Sequence, residues 1–317
     1  WNTKGHPNRL INIDITTLGL FAKLYDEEGT PPQQARLPSL HSRELLSVLK
    51  KFASQTKRLG DLRGNYVSLE MWHETNAQKD ETITRKTQFP QETKQWVLSG
   101  PHFFVGTPLN KTPRAICESN GAYDTLDLEF LPDDYLPRTN YVLACDDDEY
   151  LKRTPRVPWI DEADIKKWQD DKANPLGKPV PRPVTDYYRF VNRRMFGASS
   201  ERSMISAIYP KKAANINTAV STAFKNPKVL ANFAASTHSV VYDFYLKSTG
   251  KSDLYGSLLE MFPYISGDNL RLRGLILNCL SVEYAELWAD NWNQNFNDDC
   301  WLKRDHRLNP HFFSKLT

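Results

Sequence analysis

Six prolines (Pro155, Pro158, Pro175, Pro179, Pro181 and Pro183) fall between Thr154 and Val184. Each removes a backbone donor and fixes φ, so the run NPLGKPVPRPV at 174–184 is expected to be an extended, semi-rigid connection. At 317 residues the chain has the length of about two domains. The expected architecture is α+β in two lobes: a strand-rich first lobe over 1–152, an acidic, proline-rich connecting segment over 153–184, and a mixed strand-and-helix lobe over 185–317.

Local patterns fill in this frame. Residues 10–25 (LINIDITTLGLFAKLY) alternate apolar and polar residues enough to suggest one or two strands broken near Gly19. The stretch RELLSVLKKFA after Ser42 places Leu45, Leu46, Leu49 and Phe52 on one helical stripe. Strand-like runs follow at Tyr66–Trp72, Ile83–Phe89, Trp96–Leu98 and Phe103–Val105. Asn226-Pro227 is a cap and first-turn pair, and the apolar spacing from Leu230 to Tyr245 predicts one helix that Gly250 closes. Leu270–Leu280 and Glu283–Trp292 are further helical stretches. No apolar run is long enough for a membrane-spanning helix. Cys117, Cys145, Cys279 and Cys300 are widely spaced, with no zinc-ligand pattern, and fit reduced thiols in a cytoplasmic protein. The start Trp1-Asn2-Thr3-Lys4-Gly5 reads as a cut from a longer polypeptide.

Charge is unevenly placed. The chain totals +3, yet Arg182–Tyr255 holds eleven Lys/Arg against four Asp/Glu, whereas residues 117–181 hold eight against fifteen. A basic block interleaved with Ser, Thr, Asn and Tyr suits a polyanion such as a DNA backbone; its plainer role is pairing with the acidic block.

Enzyme motifs are incomplete. Ser248-Thr249-Gly250-Lys251-Ser252 resembles the end of a phosphate-binding loop, but Tyr245 stands where the first Gly is required. His73-Glu74 lacks the second zinc-binding His, because position 77 is Ala. Asp146-Asp147-Asp148-Glu149 suits either a hard cation or a solvated loop. The Asn-Pro pairs beginning at Asn174, Asn226 and Asn309 are followed by Leu, Lys and His, so none forms the Asn-Pro-Pro-aromatic loop of an amino methyltransferase. No catalytic residue, cofactor site or metal site is assigned to this chain.

Three passages carry a resemblance. They are SGPHFFVGTPLNKTPR (Ser99–Arg114), YLPRTNYVLAC (Tyr135–Cys145), and the stretch from Tyr188 through NRRMFGASSERSMISAIYPKKAANINTAV to VVYDFYLKSTGKSDLYGSLLEMFPYI. The order Ser199-Ser200-Glu201-Arg202, Met204–Pro210, Asn215-Ile216-Asn217-Thr218, then Ser239–Leu254, resembles the C-terminal specificity region of large adenine-N6 DNA methyltransferases. These are the type IIG restriction–modification enzymes and their relatives in phage-defence systems such as DISARM and BREX. Lys211-Lys212-Ala213-Ala214 departs from the Pro-Gly-rich turns of that family. The resemblance implies a target-recognition module for double-stranded DNA. Its parent would carry the catalytic methyltransferase domain and use S-adenosylmethionine, with other defence-system subunits as further partners. The alternative is a protein-interaction scaffold within a defence complex, with no direct base readout.

The candidate DNA-binding residues are Lys111, Arg114, Arg193, Arg194, Ser199, Ser200, Arg202, Lys211, Lys212, Asn215 and Asn217. Arginine can bridge guanine acceptors or clamp phosphate, and asparagine can read adenine edges. Seven of them have a plainer role. Arg193 and Arg194 could pair with the acidic block, Arg202 could form an internal ion pair, Ser199 and Ser200 could shape a turn, and the asparagines could be loop residues.

Overall fold

The computed structural model describes residues 6–119, 121–170 and 177–317. Trp1–Gly5 and the Asn174-Pro175-Leu176 start of the proline-rich run, on which two sequence expectations fall, lie outside the described residues. In chain order the strands are β1 (Tyr66–Leu69), β2 (Ile83–Gln88), β3 (Val97–Leu98), β4 (Lys111–Pro113), β5 (Tyr123–Thr125), β6 (Thr139–Leu143), β7 (Arg189–Arg193), β8 (Ser206–Tyr209), β9 (Ala214–Asn215) and β10 (Ala219–Phe224). The helices are α1 (Ile15–Tyr25), α2 (Arg43–Ser54), α3 (Glu74–Lys79), α4 (Asp147–Arg153), α5 (Glu162–Asp170), α6 (Pro227–Thr237), α7 (Val240–Ser248), α8 (Gly256–Leu259), α9 (Asp268–Asn278) and α10 (Ala285–Asn291). The chain is an α+β protein, and no described helix is long and apolar enough to cross a membrane.

The centre is an antiparallel sheet in the order β1-β10-β7-β8. Alternation gives it two faces. One carries Tyr66, Phe190, Ile208 and Phe224 into the largest core, where residues from α1, α2, α6, α7 and α9 cover them. Phe233 of α6 meets Phe190 at 5.0 Å and Phe224 at 5.9 Å between ring centroids. Each such fully buried ring contributes roughly 1.5–3 kcal/mol. The opposite face carries Val191, Ala207, Tyr209 and Ala219, which pack with Trp96, Leu98, Phe103 and Leu109.

The 153–184 segment does not separate two cores. β1 pairs with β10 from Tyr66↔Phe224 to Leu69↔Ser221, and β3 runs parallel to β9 through Val97↔Ala214 and Leu98↔Asn215. The segment itself is an excursion closed at its base, with Val157 N–H donating to the Arg182 carbonyl at 3.0 Å and Val184 N–H to the Pro155 carbonyl at 2.8 Å. It also contains α5.

Three local expectations are corrected. Residues 15–25 form a helix, because Asp14 caps it by accepting the Thr17 N–H at 2.7 Å and because Phe21, Leu24 and Tyr25 bury on one side. Phe103–Val105 forms a turn instead of a strand: Phe104 N–H returns to the Thr107 carbonyl at 3.0 Å, and Gly106 at φ +77 reverses the chain. The single helix expected over 227–247 is two, since Ser239 restarts it by capping Tyr242 N–H. The Asn226 cap holds, accepting from Lys228 N–H at 2.8 Å, and Gly250 takes φ +67 just after α7. Helices expected over 43–53 and 270–280 form as α2 and α9.

The β8 edge of the central sheet is covered. On β8, the Ile208 N–H donates to Asn278 Oδ1 at 2.7 Å and the Ile208 carbonyl accepts from the Tyr284 hydroxyl at 2.9 Å. On β1, Gly256 approaches so closely that an added Cβ would lie 2.6 Å from Ser68 Cβ. The bonded β8 edge offers no template for pairing with another chain.

Candidate functional site

Strand parity puts Arg189, Val191 and Arg193 on one face of β7. Arg189 is wholly buried; it donates to the Ala213 carbonyl and, at 3.7 Å, to Met71 Sδ, and burial pushes it down to about 10. Arg193, at the strand end, reaches a cleft. Its Nε donates to the Gly100 carbonyl at 2.8 Å and its Nη2 to the Phe103 carbonyl at 3.0 Å. The guanidinium also lies 5.9 Å from the ring centroid of Phe104. These partners are neutral, and burial lowers its pKa.

The cleft has a volume of about 630 Å3 and is lined by Gly100, Phe104, Lys111, Arg193, Arg194 and Thr218, among others. Lys111 stands on β4, and among the described residues it makes no ion pair. Arg194 is held from behind by Glu70 at 3.3 Å and by Asp253 at 3.8 Å. Burial alone would lower its pKa; the Glu70 hydrogen bond and the nearby charges leave it raised. Exposed Met195 and half-exposed Phe104 give the rim apolar surface beside the cations. Chemically, the cleft can hold an anion flanked by an apolar or aromatic group.

The structure thus brings together Lys111, Arg193 and Arg194 of the eleven candidates. Most of the others are engaged elsewhere. Arg202 donates to the His238 carbonyl at 3.0 Å and pairs with Asp243 at 3.5 Å, the internal ion pair named as its plainer role. Lys211 pairs with Glu286 and lies over the Tyr188 ring, and Lys212 pairs with Asp186. Arg114 pairs with Asp124 at 2.8 Å. Ser199 and Ser200 sit exposed in a turn whose Ser200 carbonyl accepts from Lys247 Nζ at 2.8 Å.

The asparagines are structural in position. Asn215 is wholly buried and donates its amide to the Ala219 carbonyl at 3.0 Å, so it presents no edge to a base. Asn217 is almost as buried, and its Oδ1 accepts the Glu74 N–H at 3.1 Å at the start of α3.

The basic block is also less cationic than its sequence. Seven of its eleven cations (Arg182, Arg194, Arg202, Lys211, Lys212, Lys225 and Lys247) are ion-paired. Arg182 meets Asp161 and Asp164, and Lys225 meets Glu162, all within the acidic block. Sequence reasoning missed Phe104, Met195 and Thr218. The parity of Arg193 with Val191 points to its face, but its meeting with the Gly100–Phe104 turn depends on a contact some ninety residues away.

No protein-family model matches the chain, and no curated protein matches it. The four cysteines are free thiols, and no cluster of potential metal ligands occurs among the described residues.

Proposed function

We propose that this chain binds double-stranded DNA through the Lys111–Arg193–Arg194 cleft. In this reading it is the target-recognition region of an adenine-N6 DNA methyltransferase of a restriction–modification or phage-defence system. One observation carries the binding site: two cations without carboxylate partners among the described residues, Lys111 and Arg193, share an open cleft with an apolar rim, whereas most of the surrounding basic residues are neutralised. A cation on neutral partners keeps its field for an incoming phosphate, and exposed apolar groups beside it suit sugar or base surfaces. The methyltransferase assignment rests on the motif order Ser199–Arg202, Met204–Pro210 and Asn215–Thr218. S-adenosylmethionine and the catalytic residues belong, on this reading, to another part of the parent protein.

Fluorescence anisotropy with a labelled duplex tests the reading. Two or three phosphate contacts predict an affinity loss of roughly 10- to 50-fold between about 50 and 200 mM salt. Lys111→Ala should weaken binding and flatten that slope. Absence of binding at low salt, or binding without a salt slope, refutes the proposal.

A further inference from the structure

A second pocket adjoins the cleft and differs from it in chemistry. Thr218 lines both, and the consecutive residues Ser99 and Gly100 line one each. The pocket has a volume of about 230 Å3. That is the space of roughly eight waters at ~30 Å3 each, enough for one bicyclic heterocycle and too little for a folded peptide segment.

Its walls are held in place by a chain of hydrogen bonds. His102 Nδ1 lies 3.1 Å from Ser99 Oγ, which lies 2.9 Å from the Tyr123 hydroxyl. The Asn140 amide donates to that hydroxyl at 2.8 Å and accepts from Thr87 at 3.0 Å. Across the pocket, the Tyr141 hydroxyl donates to Glu74 Oε1, while Asn217 fixes the Glu74 backbone. Glu74 Oε2 is left without a hydrogen-bond partner among the described residues. Arg85 is tied by one nitrogen to the Cys117 carbonyl at 3.0 Å. A carboxylate and a guanidinium therefore line the same small pocket, yet among the described residues neither is ion-paired, to the other or to a third group. Ile216 supplies an apolar wall and Glu118 a second carboxylate at the opening.

We propose that this pocket seats a single unstacked guanine base. Guanine presents adjacent N–H donors on its Watson–Crick edge, which a carboxylate accepts, and O6 and N7 acceptors on its other edge, which a guanidinium bridges. Adenine lacks O6 and N1–H, so it would leave both charged groups poorly matched. A flipped base is read in this manner, by edge hydrogen bonds inside a fitted pocket. The inference extends the DNA reading, because a strand whose phosphate occupies the cleft has the pocket beside it. The same base could come from an unpaired position in DNA or from a free guanine nucleoside.

The test titrates the full chain with deoxyguanosine and deoxyadenosine, and with duplexes carrying one bulged G, one bulged A or no bulge. Deoxyguanosine should bind at least about ten-fold tighter than deoxyadenosine, and bulged-G DNA should exceed bulged-A DNA by a similar factor. Glu74→Gln and Arg85→Ala should each remove both preferences without changing affinity for the fully paired duplex. Arg85 is exposed, so its variant tests the idea even if Glu74→Gln fails to fold. Paired-duplex binding with no guanine preference in either form overturns the pocket assignment and leaves the DNA reading intact. Deoxyguanosine preference without any duplex binding overturns the DNA reading and leaves a site for a free guanine nucleoside.

Discussion

Asp243 accepts the backbone N–H of Met204 at 2.7 Å. The same oxygen takes the Ser203 N–H at 2.6 Å, and the carboxylate is flanked by Arg202 at 3.5 Å and Lys247 at 3.2 Å. One buried acid thus fixes the chain as it enters β8 and neutralises two cations of the basic block. Asp243→Ala orphans two buried donors and leaves Arg202 uncompensated. It should cost about 3–5 kcal/mol in chemical denaturation, with Asp243→Asn losing less. A loss within about 0.5 kcal/mol would show that the network is dispensable.

Gly274 of α9 sits against Ala235 of α6, where an added Cβ would lie 2.5 Å from Ala235 Cβ. Gly274→Ala must push the helices apart despite its gain in helix propensity. The expected result is a destabilisation of about 1–3 kcal/mol, read as a lower thermal midpoint. An unchanged or higher midpoint would mean that the helices shift freely.

Stability should fall in mild acid. Burial lowers His102 to about 4 and His238 to about 3. Both histidines are neutral when folded but titrate near pH ~6.5 when unfolded. Their contribution is therefore complete above pH ~6.5 and is lost as the pH falls toward the folded values, at roughly 1.4 kcal/mol per unit for each. By pH ~5 each has lost about 2 kcal/mol. Among the described residues neither ring nitrogen of His238 has a hydrogen-bond partner, so His238→Leu should narrow the difference in unfolding free energy between pH 7 and pH 5 by about that amount. An unchanged difference would show that His238 is not the group titrating.

Among the basic residues, DNA affinity should be selective. Lys111→Ala should weaken duplex binding more than Lys211→Ala or Lys212→Ala, because the latter two already face Glu286 and Asp186. Equal losses from all three, measured at one salt concentration, would place the binding surface on the wider basic block.

Asn215→Ala separates buried from binding roles. It removes the amide that serves the Ala219 carbonyl, so a loss of about 1–3 kcal/mol in stability is expected, with base preference unchanged. A change of base preference at unchanged stability would restore Asn215 as a reader.

What could be read in the sequence was local. The Asn226 cap, the stripe of α2 and the Gly250 terminus are short-range devices, and the structure has them. Residues 15–25 misled because Gly19 and apparent alternation outweighed the Asp14 cap, which needs only one side-chain contact to start a helix. The candidate site was legible only as residue types. Asn217 looked like a base reader, yet it serves Glu74, 143 positions away, and nothing in its neighbourhood along the chain announces that partner. Arg193 and Lys111 were named for their charge. That they meet follows from the turn at Gly100–Phe104 docking on the end of β7.

The pairing of β1 with β10 also has a consequence in time. Tyr66 finds Phe224 only after the intervening chain of more than 150 residues has been made, roughly 10–30 s at ordinary elongation rates. During that interval the apolar faces of α1, α2 and β1 have no sheet to cover them. Ribosome-bound chains halted before Ala219 lack β10, so α1, α2 and β1 should be cut by protease more readily in them than in the finished chain.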